Sequence, residues 1–470
     1  MPWVIIYIIM NLSVHELRKK HSRFIYHSYQ FDIEKEIIRF SFHFEIEPNI
    51  SFFPQVNIEG INSERIKTLG PVVLNNLAFQ MGLMEIPSYW KAACSPEILV
   101  KAGFLDRYQL VWWKDLLIRG LGEFFYINSI DFTSRDFVII KAEKEMKKRN
   151  NLYAGKLNSG RYLVPIGGGK DSSVTSELLK NANKIITPFC LNPTEASLQI
   201  IKFNGFKSPI IAERKIDNKL LALNKKGYLN GHTPFSAYLA FLSSVVAVLF
   251  DNKTILVSNG KSANEENVIF NEEEINHQYS KSFRFEQKFR DYAKKYLATD
   301  LEFISFLRPL YELQIAKIFS GLPDYFSIFK SCNKGQKTNT WCHKCAKCLF
   351  VYTVLYPFAD KKILTSQIFS EDLFEKKELI PMVQKFLEFN SVKPFDCIGT
   401  REETIVAFYL CLEKAKKNEG RLPLLLRMIE DIKMIKLSDK EKSKKEILKS
   451  WDEQNFLTED LEAILRHSER

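Results

Sequence analysis

The 470-residue sequence has no run of the about eighteen apolar residues that a membrane-spanning helix needs. Its opening, MPWVIIYIIM, is apolar but short. It lacks the basic leader and small-residue cleavage site of a secretory signal. It reads either as a buried first strand or as sequence ahead of a start at Met10, which opens the more ordinary MNLSVHELRKKH. Eight cysteines in 470 residues are too few for a secreted disulfide framework. These absences lead us to expect a soluble cytoplasmic protein. Internal repeats and extended low-complexity segments are also missing. Acidic residues are outnumbered, 56 against 67 Lys and Arg, for a net charge of +11. The basic excess gathers in Lys144–Arg149 and after Lys433. It suits phosphate-rich partners, nucleotides and nucleic acid included, and equally a solubilising tail.

What is present begins with period-two alternation over residues 30–60 (IRFSFHFEIE, ISFFPQVNIEG), the pattern of half-buried antiparallel strands. From Pro71 to Asn128 the pattern turns helical and aromatic, PSYWKAACSPEILVKAG included. A charged, then Gly/Asn/Ser-rich stretch, KAEKEMKKRNNLYAGKLNSGR, reads as a linker. Beyond Tyr162, strand-like YLVPI, KIITPFC, SPIIAER and TILVSN alternate with helix-like SSVTSELLKNA and PFSAYLAFLSSVVAVLF. That order predicts an α/β fold: a parallel sheet with helices on both faces. A helical region is expected from Pro381 to Ile435, followed by an amphipathic tail helix.

Glycine is sparse, 19 in the chain, so three in a row at Gly167, Gly168 and Gly169 stand out. They follow a strand and precede Lys170-Asp171-Ser172-Ser173 and a helix. Glycines let backbone amides turn toward an anion, and a helix N-terminus adds partial positive charge. The two serines offer hydroxyl donors. Asp171 suits Mg²⁺ or a backbone N–H. The stretch is not a P-loop, and NGKSAN has Ile255 where the first glycine of one should stand. Nor is it a dinucleotide fingerprint, because Ser172 holds the third glycine position. It reads as a pyrophosphate cradle, against the alternative of a ligand-free turn.

Cys332, Cys342, Cys345 and Cys348 crowd into SCNKGQKTNTWCHKCAKC, the last three as C-x2-C-x2-C. Four thiolates satisfy a closed, structural Zn²⁺ site, which we favour over an Fe–S cluster. His343 lies among them and is expected beside the site and not in it.

GGGKDSS resembles the PP-loop of the ATP pyrophosphatases, S-G-G-x-D-S, through Gly168, Gly169, Asp171 and Ser172; Gly167 replaces the first serine. The resemblance implies binding of ATP and Mg²⁺ and cleavage between the α and β phosphates. Tyr162 to Cys348 is also similar to 7-cyano-7-deazaguanine synthase. A longer series, MGLMEIPSYWKAACSP, GLGEFFYIN, PIGGGKDS, NGHTPFSA, INHQYSKSFRFE, the cysteine cluster and KPFDCIGTREE, resembles the UDP-N-acetylmuramoyl-L-alanyl-L-glutamate epimerases over residues 35–430. That implies inversion of the terminal L-glutamate of a UDP-linked peptidoglycan precursor, with ATP consumed. It implies residues 1–150 as an α+β region for substrate recognition, 151–365 as the ATP-binding domain, and 366–470 as a helical region with a basic tail.

The expected pyrophosphate and Mg²⁺ residues are Gly167 to Ser173; Lys170 neutralises phosphate or is simply a solvated loop lysine. Asp171, His232 and His277 are the candidate catalytic residues, the histidines because their ordinary pKa lies near neutrality. Cys94 is a thiol base or a buried inert thiol. Lys91, Arg284 and Arg401 are candidate binders of carboxylate or UDP phosphates, and Tyr89 and Trp90 stack on a ring or belong to the core. The alternatives are a PP-loop enzyme that thiolates tRNA, against which no RNA-binding module is visible, a deazaguanine-type amide or nitrile synthase, and a nucleotide-sensing scaffold.

Overall fold

Alternating side chains build the first hairpin. In the computed structural model, β1 (Arg23–Glu34) and β2 (Ile37–Ile46) pair antiparallel, and Ile38, Phe40, Phe42, Phe44 and Ile46 of β2 all point into the core. The structure describes residues 13–143, 151–388, 391–435 and 438–468. The apolar opening and the basic run 144–149 lie outside them. β3 (Ile50–Phe52) and β4 (Gln55–Glu59) extend the hairpin along β2. The helical run Ser63–Trp90 breaks at Gly70, where φ is +69° just before Pro71.

The next segment corrects the sequence expectation. Within the stretch read as helical, Glu97–Val100 is strand β5, paired parallel to β1 and to β6 (Ile139–Ala142). A four-residue apolar run does not carry enough periodicity to separate strand from helix. The helices Arg107–Gly120 and Gly122–Ile127 follow as the pattern predicts.

The parallel unit consists of β7 (Tyr162–Pro165), β8 (Ile186–Leu191), β9 (Ile210–Lys215), β10 (Thr254–Val257) and, after the small hairpin of β11 (Val268–Phe270) and β12 (Glu273–Ile275), β13 (Glu302–Ser305). The sheet order is β13-β10-β7-β8-β9-β4-β2-β1-β5-β6. β4 joins β9 antiparallel, so one mostly parallel sheet runs through both sides of the 150/151 junction. From β7 the chain steps to β8 and β9 on one side, then returns to β10 on the other. The carboxyl end of β7 is therefore the switch point of the parallel strands, where open α/β sheets bind ligands.

Successive residues on these strands serve different cores. Leu163, Phe189, Ile255 and Phe303 pack with the N-terminal aromatics and the helix Phe235–Leu249. Val164, Cys190, Leu256 and Ile304 pack with the cysteine-bearing segment and the C-terminal helices. Those helices include Ile380–Leu387, Arg401–Asn418 and Leu424–Asp431, as expected. The tail is two helices, Lys440–Leu448 and Glu459–Ser468, and not one. The intervening residues are drawn aside: Asp452 donates its N–H to Pro309, and Arg466 lies 3.8 Å over the Trp451 ring. Among the described residues, no helix is long and apolar enough to cross a membrane.

Candidate active site

The glycine loop sits at the switch point. Gly168 has φ +89°, and a Cβ there would lie 2.8 Å from the Ser197 nitrogen, so both conformation and space demand glycine. Gly169 caps the helix Lys170–Asn181, whose first-turn amides face the crevice end. A Cβ on Gly167 would meet nothing within 4 Å, so the serine usual in PP-loops would fit. The Ser172 and Ser173 hydroxyls both donate to the Gly169 carbonyl at 3.0 Å, bracing the loop.

Lys170 is fully buried, not a solvated loop lysine, and its ammonium is held between Asp171 and Glu312. Burial alone would lower its pKa; the two carboxylates outweigh it and raise it. Burial pushes Asp171 up, but Lys170, Lys347 and Lys281 hold it below the usual carboxylate range. Asp171 is thus an anion among three cations, the state in which it can share a divalent ion.

A second cluster adjoins the first. The Lys281 ammonium donates to the Cys397 sulfur at 3.2 Å, and Asp171 and Glu312 both act on its charge. Cys397 lies 3.8 Å from His277 Nε2, and Lys347 donates to its carbonyl oxygen. His277 Nδ1 bonds Glu123 Oε2, which also lies 3.2 Å from His232 Nδ1; the two rings are 4.6 Å apart. The histidines are driven in opposite directions. For His277, burial disfavours the charge, but Cys397 and Glu123 overcome it and raise the pKa to about 9. For His232, burial, with His277 and Lys91 nearby, lowers it to about 3. Burial would raise the Cys397 thiol, yet Lys281 and His277 bring it down to about 6. At neutral pH the cluster holds a thiolate, an imidazolium and a neutral imidazole.

The four cysteines converge as their spacing predicts. Their sulfurs all lie within 4.8 Å of one another, with separations of 4.0, 3.7 and 3.5 Å for Cys332–Cys345, Cys342–Cys348 and Cys345–Cys348. A tetrahedron with Zn–S bonds of about 2.3 Å has edges of about 3.8 Å, so the set fits that ion. The amides of Gly335 and Cys342 donate to Cys332 Sγ, 3.2 and 3.4 Å away. His343 turns to Glu371 at 2.7 Å, outside the sulfur set. The knuckle abuts the glycine loop: Lys330 donates its N–H to the Gly168 carbonyl, and Ser331 Oγ backs Gly169.

Other candidates fall elsewhere. Cys94 is buried, and burial pushes its thiol far up, so the inert alternative describes it. Tyr89 and Trp90 are core residues. Arg401 spends its guanidinium on the carbonyls of Lys385, Glu388 and Ser391. Lys91 is buried near Glu123 and Arg214, donates to the Gly231 carbonyl, and is lowered by burial to about 8. Arg284, with Arg119, lines a cavity of about 400 Å³ beside Asn276. Sequence reasoning did not single out Glu123, Lys281, Glu312, Lys347 or Cys397. Three of them stand in the unusual polar motifs GLGEFFYIN, INHQYSKSFRFE and KPFDCIGTREE, which was the available signal.

The model of the MurL N-terminal domain matches residues 15–306, and that of the MurL C-terminal domain matches 328–443. Cys397 comes from the second match and meets His277 and Lys281 of the first, so the site lies where the two meet. Three curated relatives are similar over most of their length, all named UDP-N-acetyl-alpha-D-muramoyl-L-alanyl-L-glutamate epimerase. The one from a Micromonospora species is 32% identical over 70% of this chain and 72% of its own. That from Xanthomonas oryzae pv. oryzae is 31% identical over 73% and 76%, and that from Salinispora tropica 31% identical over 75% and 76%. No solved structure matches. With the models of both MurL domains matched and relatives 31–32% identical over 70% or more of its length, the chain belongs to the MurL family.

Proposed function

We propose that this chain inverts the terminal L-glutamate of UDP-N-acetylmuramoyl-L-alanyl-L-glutamate in peptidoglycan precursor synthesis, using ATP and releasing AMP and pyrophosphate. The names of the relatives support the substrate. The observation that carries the chemistry is Lys281: its ammonium touches Cys397 and feels Asp171 and Glu312, which makes the anion loop and the acid–base cluster one site.

The α-hydrogen beside a free carboxylate is very weakly acidic, since its carbanion would set charge beside charge. Attack of the glutamate carboxylate on the α-phosphorus of ATP expels pyrophosphate and leaves an acyl-adenylate, in which that charge is gone. The loop amides of residues 167–173 receive the phosphates. Asp171 would hold Mg²⁺, which would neutralise phosphate charge. Loss of the α-proton then gives a planar enolate, and a proton returned on the other face gives the D-configured adenylate, which water hydrolyses. The proton transfers fall to the cluster that joins Cys397, His277, Glu123 and His232. Arg119 and Arg284, in the neighbouring cavity, are placed to meet the substrate's phosphates or carboxylate.

The test is one incubation with Mg·ATP and the UDP-linked dipeptide, reading AMP, pyrophosphate and the chirality of glutamate after hydrolysis. D-glutamate with stoichiometric AMP is expected. AMP without inversion would remove the substrate from the reading; inversion without AMP would remove ATP.

A further inference from the structure

Inversion at a carbon needs one group to take the proton and another to return it across the plane. We propose that the Cys397 sulfur takes the α-proton of the glutamyl adenylate, with His277 and Lys281 as its positioning residues. The inference rests on the epimerase reading and assigns its base.

The geometry is specific. Cys397 is only half-buried, whereas Cys94, Cys190 and Cys411 are sealed in the core and the remaining four cysteines belong to the knuckle. Its sulfur meets two nitrogens at once, Lys281 Nζ, which donates at 3.2 Å, and His277 Nε2 at 3.8 Å. Its backbone is clamped: Lys347 holds its own carbonyl, Gln278 holds that of Ile398 at 3.2 Å, and Asn333 reaches the Asp396 carboxylate at 2.6 Å. A half-buried sulfur set between an ammonium and an imidazole on a fixed main chain is built for reactivity, not for packing. The other side of the His277 ring faces Glu123. The lowered pKa brings the thiolate into use at neutral pH.

In the step itself the Cα–H bond breaks, an S–H bond forms, and the electron pair moves onto the adenylate carbonyl oxygen. The returning proton comes from the other face of the planar enolate. No oxidant or further reactant enters.

Cys397→Ala and Cys397→Ser test this in D₂O with Mg·ATP and the UDP-linked dipeptide. Two rates are read: deuterium entering the glutamate α-position, and labelled pyrophosphate exchanging into ATP. We expect deuterium entry to fall at least about a hundredfold in Cys397→Ala, and pyrophosphate exchange by no more than about threefold. Deuterium entry within about threefold of wild type would overturn the proposal, as would an equal loss of both rates, which marks a structural role. If the wild type inverts without pyrophosphate exchange, the ATP reading fails while the deuterium result still decides Cys397. Should the variants not fold, wild-type protein treated with iodoacetamide and mapped by mass spectrometry decides it. Alkylation at Cys397 must stop deuterium entry, and His277→Asn must slow that alkylation at least about tenfold. Alkylated protein that still exchanges would overturn the assignment.

Discussion

Two clusters of buried charge lie side by side and are built in opposite ways. At Arg308, all three guanidinium nitrogens are bonded: to Glu286, to the carbonyls of Gly260 and Lys281, and to Ser305 Oγ. Both members of the ion pair are sealed from solvent. One residue chain away, the side chain of Lys281 reaches the other cluster, where three lysines, two histidines and a cysteine crowd around Asp171, Glu312 and Glu123. The first cluster answers each donor with an acceptor and holds its strands and loops in place. The second shares each cation among several anions, and shifts the pKa values of the groups that face one another. Buried charge serves architecture when it is closed and chemistry when it is left open to a ligand.

The comparison can be broken first at the knuckle that braces the open cluster. Cys345→Ser, or chelation, should remove about one metal ion per chain by elemental analysis. It should also cost several kcal/mol of stability, out of a binding free energy on the order of 10 kcal/mol. An unchanged melt would show that the four sulfurs hold nothing up. Next comes the closed cluster. Arg308→Met strands the Glu286 carboxylate and should cost about 3–5 kcal/mol in urea unfolding, with much of it recovered in Arg308→Met/Glu286→Leu. A loss under 1 kcal/mol would contradict the architectural role.

The open cluster should behave the other way. Asp171→Ala should cut pyrophosphate release at least about a hundredfold, roughly 2.7 kcal/mol in the barrier. Full release in that variant would take the loop out of the mechanism. Smaller effects follow from titration. His277, raised to about 9, contributes stability that is complete below its unfolded value near 6.5 and is lost as pH rises through about 9. Cys397, lowered to about 6, contributes stability that is present above its unfolded value near 8.5 and is lost as pH falls through about 6. The two slopes oppose, so wild-type stability should be nearly flat between about pH 6.5 and 8.5. Because Cys397 is itself a main cause of the raised His277, Cys397→Ala should weaken both slopes together and leave stability nearly flat; a decline approaching about 1.4 kcal/mol per pH unit in unfolding curves at three pH values would contradict that coupling. Smallest of all, Gly167→Ser should leave melting unchanged and alter ATP affinity by no more than a few-fold, because the added atoms meet open space.

Local signals were the ones the sequence displayed best. The strand, glycines and helix at 162–181 and the cysteine spacing at 332–348 depend on near neighbours, and each forms the unit its pattern implies. β5 was hidden because EILV is too short to show a period, and the break in the tail because Trp451 and Asp452 answer to distant partners. The histidine–cysteine cluster was half legible. His232 and His277 are the residue types one looks for, but Glu123, Lys281, Glu312 and Cys397 come from separate elements, and only the folded sheet places them together. Nothing local in KPFDCIGTREE tells a thiolate from a buried thiol.

The antiparallel join of β4 to β9 has a mechanical consequence. Gln55, Val56, Asn57 and Ile58 are zipped to Lys215, Arg214, Glu213 and Ala212, so a polypeptide nicked between β6 and β7 would remain one body. Its two fragments, expressed separately, would each carry half of a shared edge and could find one another. The protein is thus a natural candidate for splitting and reassembly, with the recovery of its activity reporting that the seam has closed.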